Sequence, residues 1–181
     1  INQLIEQLKA EDQDHEFYPT TDAIISRLAF EIGLVETNEH GNRHRCSTYT
    51  SLLDIGAGPG KVLQALKQKC GFTELFAIEK SSILCQQLPE DVLVIGTEFH
   101  EQSLMSKPVD VVYCNPPYRE YEAWAVRLIR ECAANVLFLC IPRRWKDSVA
   151  IADALKYRAV SALTVGEFDF EDAEDRTARA K

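Results

Sequence analysis

The chain of 181 residues contains no apolar run approaching the roughly 20 residues a helix needs to cross a bilayer, so a helical membrane span is excluded. Ile1 to Glu11 carries no signal-peptide pattern, and the expected compartment is the cytoplasm. An initiator Met is also missing, as expected of a fragment or a processed chain. No CxxC pair occurs. The six cysteines (Cys46, Cys70, Cys85, Cys114, Cys132, Cys140) are scattered, so neither a metal site nor a disulfide framework is expected. They read as small buried hydrophobes in a reducing cytosol. Basic charge is scarce: 20 Lys and Arg face 28 Asp and Glu, for a net charge of −8. That weighs against a stand-alone nucleic-acid binder, which needs a positive footprint. It leaves open a catalytic domain whose grip on nucleic acid lies elsewhere. Internal repeats and low-complexity tracts are absent. What is there is globular: 46% hydrophobic and 27% charged residues, enough for one domain with a real core.

Hydrophobic periodicity divides the chain into an N-terminal helix and linker, 1–16, and a main domain, 17–181. Ile1 to Ala10 places Leu4, Ile5 and Leu8 on one helical face. Phe17-Tyr18-Pro19-Thr20 is extended, because a residue before proline is pushed out of the α region. Thr20, Thr21 and Asp22 can cap a helix burying Ile24, Ile25, Leu28, Ala29 and Ile32, which Gly33 ends. Asn38 to Ser47 reads as a charged loop.

From Tyr49 onward strands and helices alternate. Strands are expected at Leu52–Ile55, Leu75–Ile78, Val92–Ile95, Val109–Cys114, Val136–Ile141 and Ala159–Phe170. Helices are expected from Gly60 to Cys70, Ser81 to Leu88, Tyr121 to Ala133 and Ser148 to Tyr157. Short apolar strands alternating with helices mean βαβ units. The fold class is therefore α/β, a doubly wound, mostly parallel sheet with helices on both faces. The charged tail, Glu171 to Lys181, stops in mid-topology.

Ligands in such folds bind beyond the carboxyl ends of the strands. Asp54-Ile55-Gly56-Ala57-Gly58-Pro59-Gly60 follows the first strand of the alternating series. Glycines let a backbone turn sharply and approach a ligand closely, and Pro59 suits the start of a helix. A glycine loop alone would also suit a nicotinamide enzyme, but the spacing is GxGxG and not GxGxxG. Asp54 would repel a pyrophosphate and attract an ammonium. Glu79, after the second strand, can accept hydrogen bonds from two ribose hydroxyls.

Asn115-Pro116-Pro117-Tyr118 follows the fourth strand. Two prolines stiffen the backbone and remove two N–H donors, leaving carbonyls free to accept. The Asn115 side-chain oxygen is a further acceptor. A planar amino group on a base or amide is a poor nucleophile because its lone pair is conjugated. Accepting both its hydrogens, at Asn115 and at the Pro116 carbonyl, favours a pyramidal nitrogen, and Tyr118 can stack on the planar target. Alignment and acceptor placement would then supply catalysis without a strong base.

These motifs carry a family resemblance over residues 15 to 170. Residues Leu53 to Gly60 resemble the first motif of class I S-adenosylmethionine-dependent methyltransferases, which have a Rossmann-like fold. The resemblance implies S-adenosylmethionine as cofactor, with Asp54, Gly56, Gly58 and Gly60 in its loop and Glu79 on its ribose. Thr97-Glu98-Phe99 resembles the adenine-contacting segment. There Glu98 would take the exocyclic amine and Phe99 would pack on the ring. The NPPY motif is similar to that of methyltransferases acting on amino nitrogens: DNA adenine N6, some RNA adenine N6 and guanine N2 enzymes, and the glutamine methyltransferases of release factors. Phe17-Tyr18-Pro19-Thr20 looks like the N-terminal cofactor segment of DNA adenine methyltransferases, with Thr20 on the cofactor carboxylate and the backbone near Tyr18 helping. With NPPY last, the order is that of their gamma group, and methylation of adenine N6 in DNA is the leading expectation.

The target-recognition region usual in that group is not visible; a segment after Lys181 or a partner subunit would have to supply it. Arg43-His44-Arg45 is one basic group. Arg143, Arg144 and Lys146 could take phosphates, and Trp145 could stack on an unpaired base. Four alternatives stay open: a protein glutamine methyltransferase, which suits the acidic surface; an RNA base methyltransferase; a non-catalytic cofactor-binding subunit, against which Asn115, Pro116 and Tyr118 argue; and a nicotinamide oxidoreductase, against which Asp54 and the NPPY motif argue.

Overall fold

The computed structural model describes residues 6, 8–11, 13, 18–37, 43–45 and 47–168. Helix α1 (Asp22–Ile32) leads into a two-stranded antiparallel hairpin, β1 (Val35–Thr37) with β2 (Arg43–Arg45). The main sheet follows: β3 (Ser51–Ile55), α2 (Lys61–Cys70), β4 (Glu74–Ile78), α3 (Ser82–Cys85), β5 (Val92–Gly96), β6 (Val109–Cys114), α4 (Tyr121–Glu131), β7 (Ala134–Leu139) and α5 (Val149–Arg158). Its strand order is β5-β4-β3-β6-β7, and every pairing is parallel.

The strand patterns explain the order. All five residues of β3 are buried, which only a central strand with both faces covered permits. Successive residues then serve opposite layers. Leu52, Val111 and Tyr113 meet α1 and α2 through Ile24, Ile25, Leu28, Leu63 and Leu66. Leu53, Ile55, Val112 and Cys114 meet Trp124 and Leu128 of α4, with Phe99 and Leu104. Thr21, Ser81 and Ser148 cap α1, α3 and α5, each accepting from an N–H three residues on.

The chain winds from β3 outward through β4 to β5, then crosses back to β6 beside β3. This reversal opens a crevice at the carboxyl ends of β3 and β6, where open α/β sheets bind ligands.

The doubly wound expectation holds, with local corrections. The expected sixth strand, Ala159–Phe170, is not a strand over its described part, 159–168. Ala159 ends α5 in the left-handed region at φ 52°, and Leu163 is 83% exposed. Its apolar composition suits a strand, but β propensity acts only where a neighbour offers a ladder and a face to pack on. Part of the expected loop at 38–47 is strand β2, pairing Arg43–Arg45 with Val35–Thr37. The helices expected to reach Leu88 and Ala133 end earlier, at Cys85 and Glu131. Of the first expected helix, residues 6 and 8–10 are helical, and Leu8 packs on Ile83 and Leu84 of α3. Leu4, Ile5, Phe17 and Cys46 lie outside the described residues. The remaining cysteines are free thiols.

Candidate active site

Register brings the motifs together. Ile55 of β3 is the partner of Ile78 in β4 and of Cys114 in β6, and Ile78 is also paired with Gly96 of β5. The next residues of these strands, Gly56, Glu79, Thr97 and Asn115, therefore leave the sheet at one level. Adjacent strands lie about 4.8 Å apart, so the glycine loop and Asn115 emerge side by side.

The loop turns through three left-handed glycines, Gly56, Gly58 and Gly60, at φ 79°, 55° and 82°. A side chain in that region is strained. A methyl group on Gly56 would meet nothing within 4 Å, so the space above the turn is open. Gly60 differs: a Cβ there would lie 2.9 Å from Pro89 Cδ. The Gly56 N–H donates to the Ile78 carbonyl at 2.8 Å. Glu79, 6% exposed, holds the loop from beneath. Its Oε2 accepts from the Gly58 N–H and its Oε1 from the Ser81 N–H, both at 2.8 Å.

Asp54 lies under the same turn, 2% exposed, and its Oδ1 has no hydrogen-bond partner among the described residues. Burial, with the neighbouring Glu79 charge adding to it, pushes its carboxyl well above the usual carboxylate range. An orphaned acidic oxygen beneath an open glycine turn is what a cationic ligand would complete. The residues present thus fit the ammonium group of S-adenosylmethionine.

Farther along this edge, Glu98 is less free. Lys80 Nζ sits 2.8 Å from its Oε2, the His100 N–H donates to its Oε1 at 3.4 Å, and these contacts lower its pKa. Phe99 does not face the crevice. It is 3% exposed and stacks on Trp124 with centroids 3.9 Å apart. Its ring anchors the 98–102 loop to α4. Arg127 of α4 completes that anchor, donating to the Phe99 and Gln102 carbonyls at 2.7 and 2.6 Å. Nothing in the sequence marks Arg127, because an arginine on an amphipathic helix ordinarily faces water.

On the other side of β3, Asn115 donates from Nδ2 to the Tyr18 carbonyl at 3.0 Å. The bond fixes the amide, and among the described residues its Oδ1 has no donor. The two proline carbonyls differ. That of Pro117 accepts from the Glu120 N–H at 3.0 Å, whereas that of Pro116 has no backbone donor among the described residues. Pro116 is buried and Tyr118 is 46% exposed. Thr20 is buried beside them, its Oγ1 2.8 Å from the Tyr113 hydroxyl. The crevice thus gathers Tyr18, Thr20, Asp54, the glycines, Glu79, Asn115, Pro116 and Tyr118.

The basic run after β7 separates into different contacts. Arg144 lies over the rings of Tyr118 and Tyr121, 4.9 and 5.1 Å from their centroids. Arg143 Nε and Lys146 Nζ lie 3.5 and 3.7 Å from Glu167 Oε1. Trp145 is half-buried against the cluster of Tyr121, Ala125 and Ile151, so its ring serves packing. No group of three or more His, Cys, Asp or Glu side chains suited to a metal occurs among the described residues.

No family model matches the sequence. Over 79 residues it is 34% identical to a tRNA1(Val) (adenine(37)-N6)-methyltransferase of Pseudoalteromonas translucida (strain TAC 125), covering 40% of this chain and 34% of that protein. The chain therefore spans about a third of the length of that curated relative. A 23S rRNA methyltransferase, ErmE, superposes with a TM-score of 0.51 at 14% identity, over 71% of this chain and 49% of that one. A precorrin-6y C5,15-methyltransferase from Geobacter metallireducens GS-15 gives 0.50 at 13% identity, over 81% and 79%. Among the described residues no helix is long and apolar enough to cross a membrane. With a five-stranded parallel sheet wound outward from β3, the chain has the Rossmann-like fold of class I methyltransferases.

Proposed function

We propose that the chain is a catalytic domain that transfers a methyl group from S-adenosylmethionine to a planar amino nitrogen, adenine N6 in nucleic acid. The observation that carries this is the pairing, one strand apart, of two unmet acceptors: the orphaned Oδ1 of buried Asp54 and the open Oδ1 of Asn115. When bound, S-adenosylmethionine supplies a sulfonium methyl group, the electrophile. Asp54 would hold its ammonium, Glu79 its ribose and Thr20 its carboxylate, with the open space at Gly56 above the turn. Asn115 Oδ1 and the Pro116 carbonyl accept the two amino hydrogens, which turns the nitrogen lone pair out of conjugation. Tyr118, exposed at the rim, stacks on the base. The contribution is alignment and acceptor placement.

Motif order, with Phe17-Tyr18-Pro19-Thr20 first and NPPY last, favours DNA as the carrier of the adenine. A second reading, adenine in RNA, is favoured by the similarity to the tRNA enzyme. In either case a recognition element from outside 17–181, or a partner subunit, would add positive surface to a chain of charge −8. Incubating the chain with radioactive S-adenosylmethionine and, separately, DNA, RNA and protein tests the proposal. Label is expected on adenine in DNA, and in RNA under the second reading. Asn115→Ala should bind the cofactor and transfer nothing. Label only on protein, or equal turnover by this variant, would refute it.

A further inference from the structure

Tyr113 lies inside β6, 2% exposed, among residues whose only task is packing. A phenylalanine would fill the same space without a hydroxyl to desolvate. The Tyr113 hydroxyl instead meets Thr20 Oγ1 at 2.8 Å, across 93 residues of sequence. Two residues beyond Tyr113 on the same strand end, Asn115 donates to the Tyr18 carbonyl. Residues 18–20 belong to no strand, and Pro19 has no N–H to offer. α1 at one end and these two contacts from β6 thus help to fix where this segment sits. The Cα partner of Tyr113 on the neighbouring strand β3 is Asp54.

We propose that Tyr113 is a positioning residue: its buried hydroxyl seats Thr20, and the end of β6 thereby sets the cofactor-side segment and the amide of Asn115 as one unit. This rests on the reading of residues 18–20 as a wall of the S-adenosylmethionine site. A sheet strand is the stiffest frame available, and two groups fixed to one strand keep their spacing when loops around them move. Tyr113 touches neither reactant and acts through Thr20.

The test uses Tyr113→Phe, Thr20→Val, the double variant and Thr20→Ser, each with two measurements. Hydrogen–deuterium exchange of the chain without added ligand should show the amides of Tyr18, Thr20 and Thr21 exchanging about tenfold faster in Tyr113→Phe, with α2 and α4 unchanged. Calorimetry with S-adenosylhomocysteine should show about tenfold weaker binding for Tyr113→Phe, the loss expected of one buried hydrogen bond, and a larger loss for Thr20→Val, which also removes the contact to the cofactor carboxylate. The double variant should be no weaker than Thr20→Val, because Tyr113 acts only through Thr20. Thr20→Ser, which keeps the hydroxyl, should recover most of the affinity lost in Thr20→Val. Unchanged exchange in Tyr113→Phe overturns the proposal whether or not the chain binds cofactor. Faster exchange with wild-type affinity, or losses that add in the double variant, overturn it too. Failure of the wild-type chain to bind at all refutes the methyl-donor reading itself, a result separate from these.

Discussion

Replacing Asp54 by Asn should make the cofactor-free protein more stable while removing its affinity for S-adenosylmethionine. Asp54 is buried with one oxygen unpartnered, and burial raises its pKa. An uncompensated buried carboxylate costs several kcal/mol, whereas a neutral amide of the same shape costs about 1–3 kcal/mol when partly unpartnered. The expected net gain for Asp54→Asn near neutral pH is roughly 1–2 kcal/mol. At about 2–4 °C per kcal/mol for a chain of this size, that is a rise of about 2–8 °C in melting temperature. The sign with pH follows from linkage. A raised folded-state pKa means that the native chain holds the Asp54 proton more tightly than the unfolded chain does. Wild-type stability from this group is therefore greatest below the unfolded value, about 3.9, and falls as pH rises from there towards the folded value. The gap between Asp54→Asn and wild type should close below about pH 4 and widen towards neutrality. Binding should show the converse. An ammonium opposite Asp54 favours its ionised form, so cofactor binding should release a proton, seen by calorimetry in buffers of different ionisation enthalpy. Asp54→Asn should bind at least tenfold more weakly and release none. A variant that melts below wild type at every pH and binds as tightly would refute the account of Asp54.

Gly60→Ala places a methyl group 2.9 Å from Pro89 at a backbone φ of 82°. It should lower stability by about 2 kcal/mol, read as a drop in urea midpoint, and unchanged unfolding would show that the turn tolerates a side chain. Arg127→Met keeps much of the arginine stem but removes the donors to the Phe99 and Gln102 carbonyls. Faster amide exchange over 98–102 and a several-fold loss of cofactor affinity are expected; unchanged exchange would mean that Phe99 on Trp124 holds the loop alone.

Sequence alone determined the parallel α/β architecture, because Leu52-Leu53-Asp54-Ile55 and Val109 to Cys114 are apolar runs too short for helices and too continuous for half-exposed strands. It also determined both local motifs, since glycines that must turn left-handed and a doubled proline act through their own backbones. Where it misread the chain, the deciding partner was distant. Residues 160–168 have strand composition but no ladder, and Phe99 has an aromatic face but Trp124 already against it. Arg144 and Trp145 read as a basic, stacking run, yet one lies over Tyr118 and Tyr121 and the other packs half-buried against Tyr121, Ala125 and Ile151. Tyr113 was legible only in part: a tyrosine within a buried strand needs a partner for its hydroxyl, but nothing local names Thr20. Likewise the sequence placed an acid ahead of three glycines, while only the tertiary structure left that acid without a partner and set it one strand from Asn115. Backbone preference is local and can be read residue by residue. Desolvation, register and hydrogen-bond satisfaction depend on which strands lie side by side, and that is decided only when the sheet has assembled.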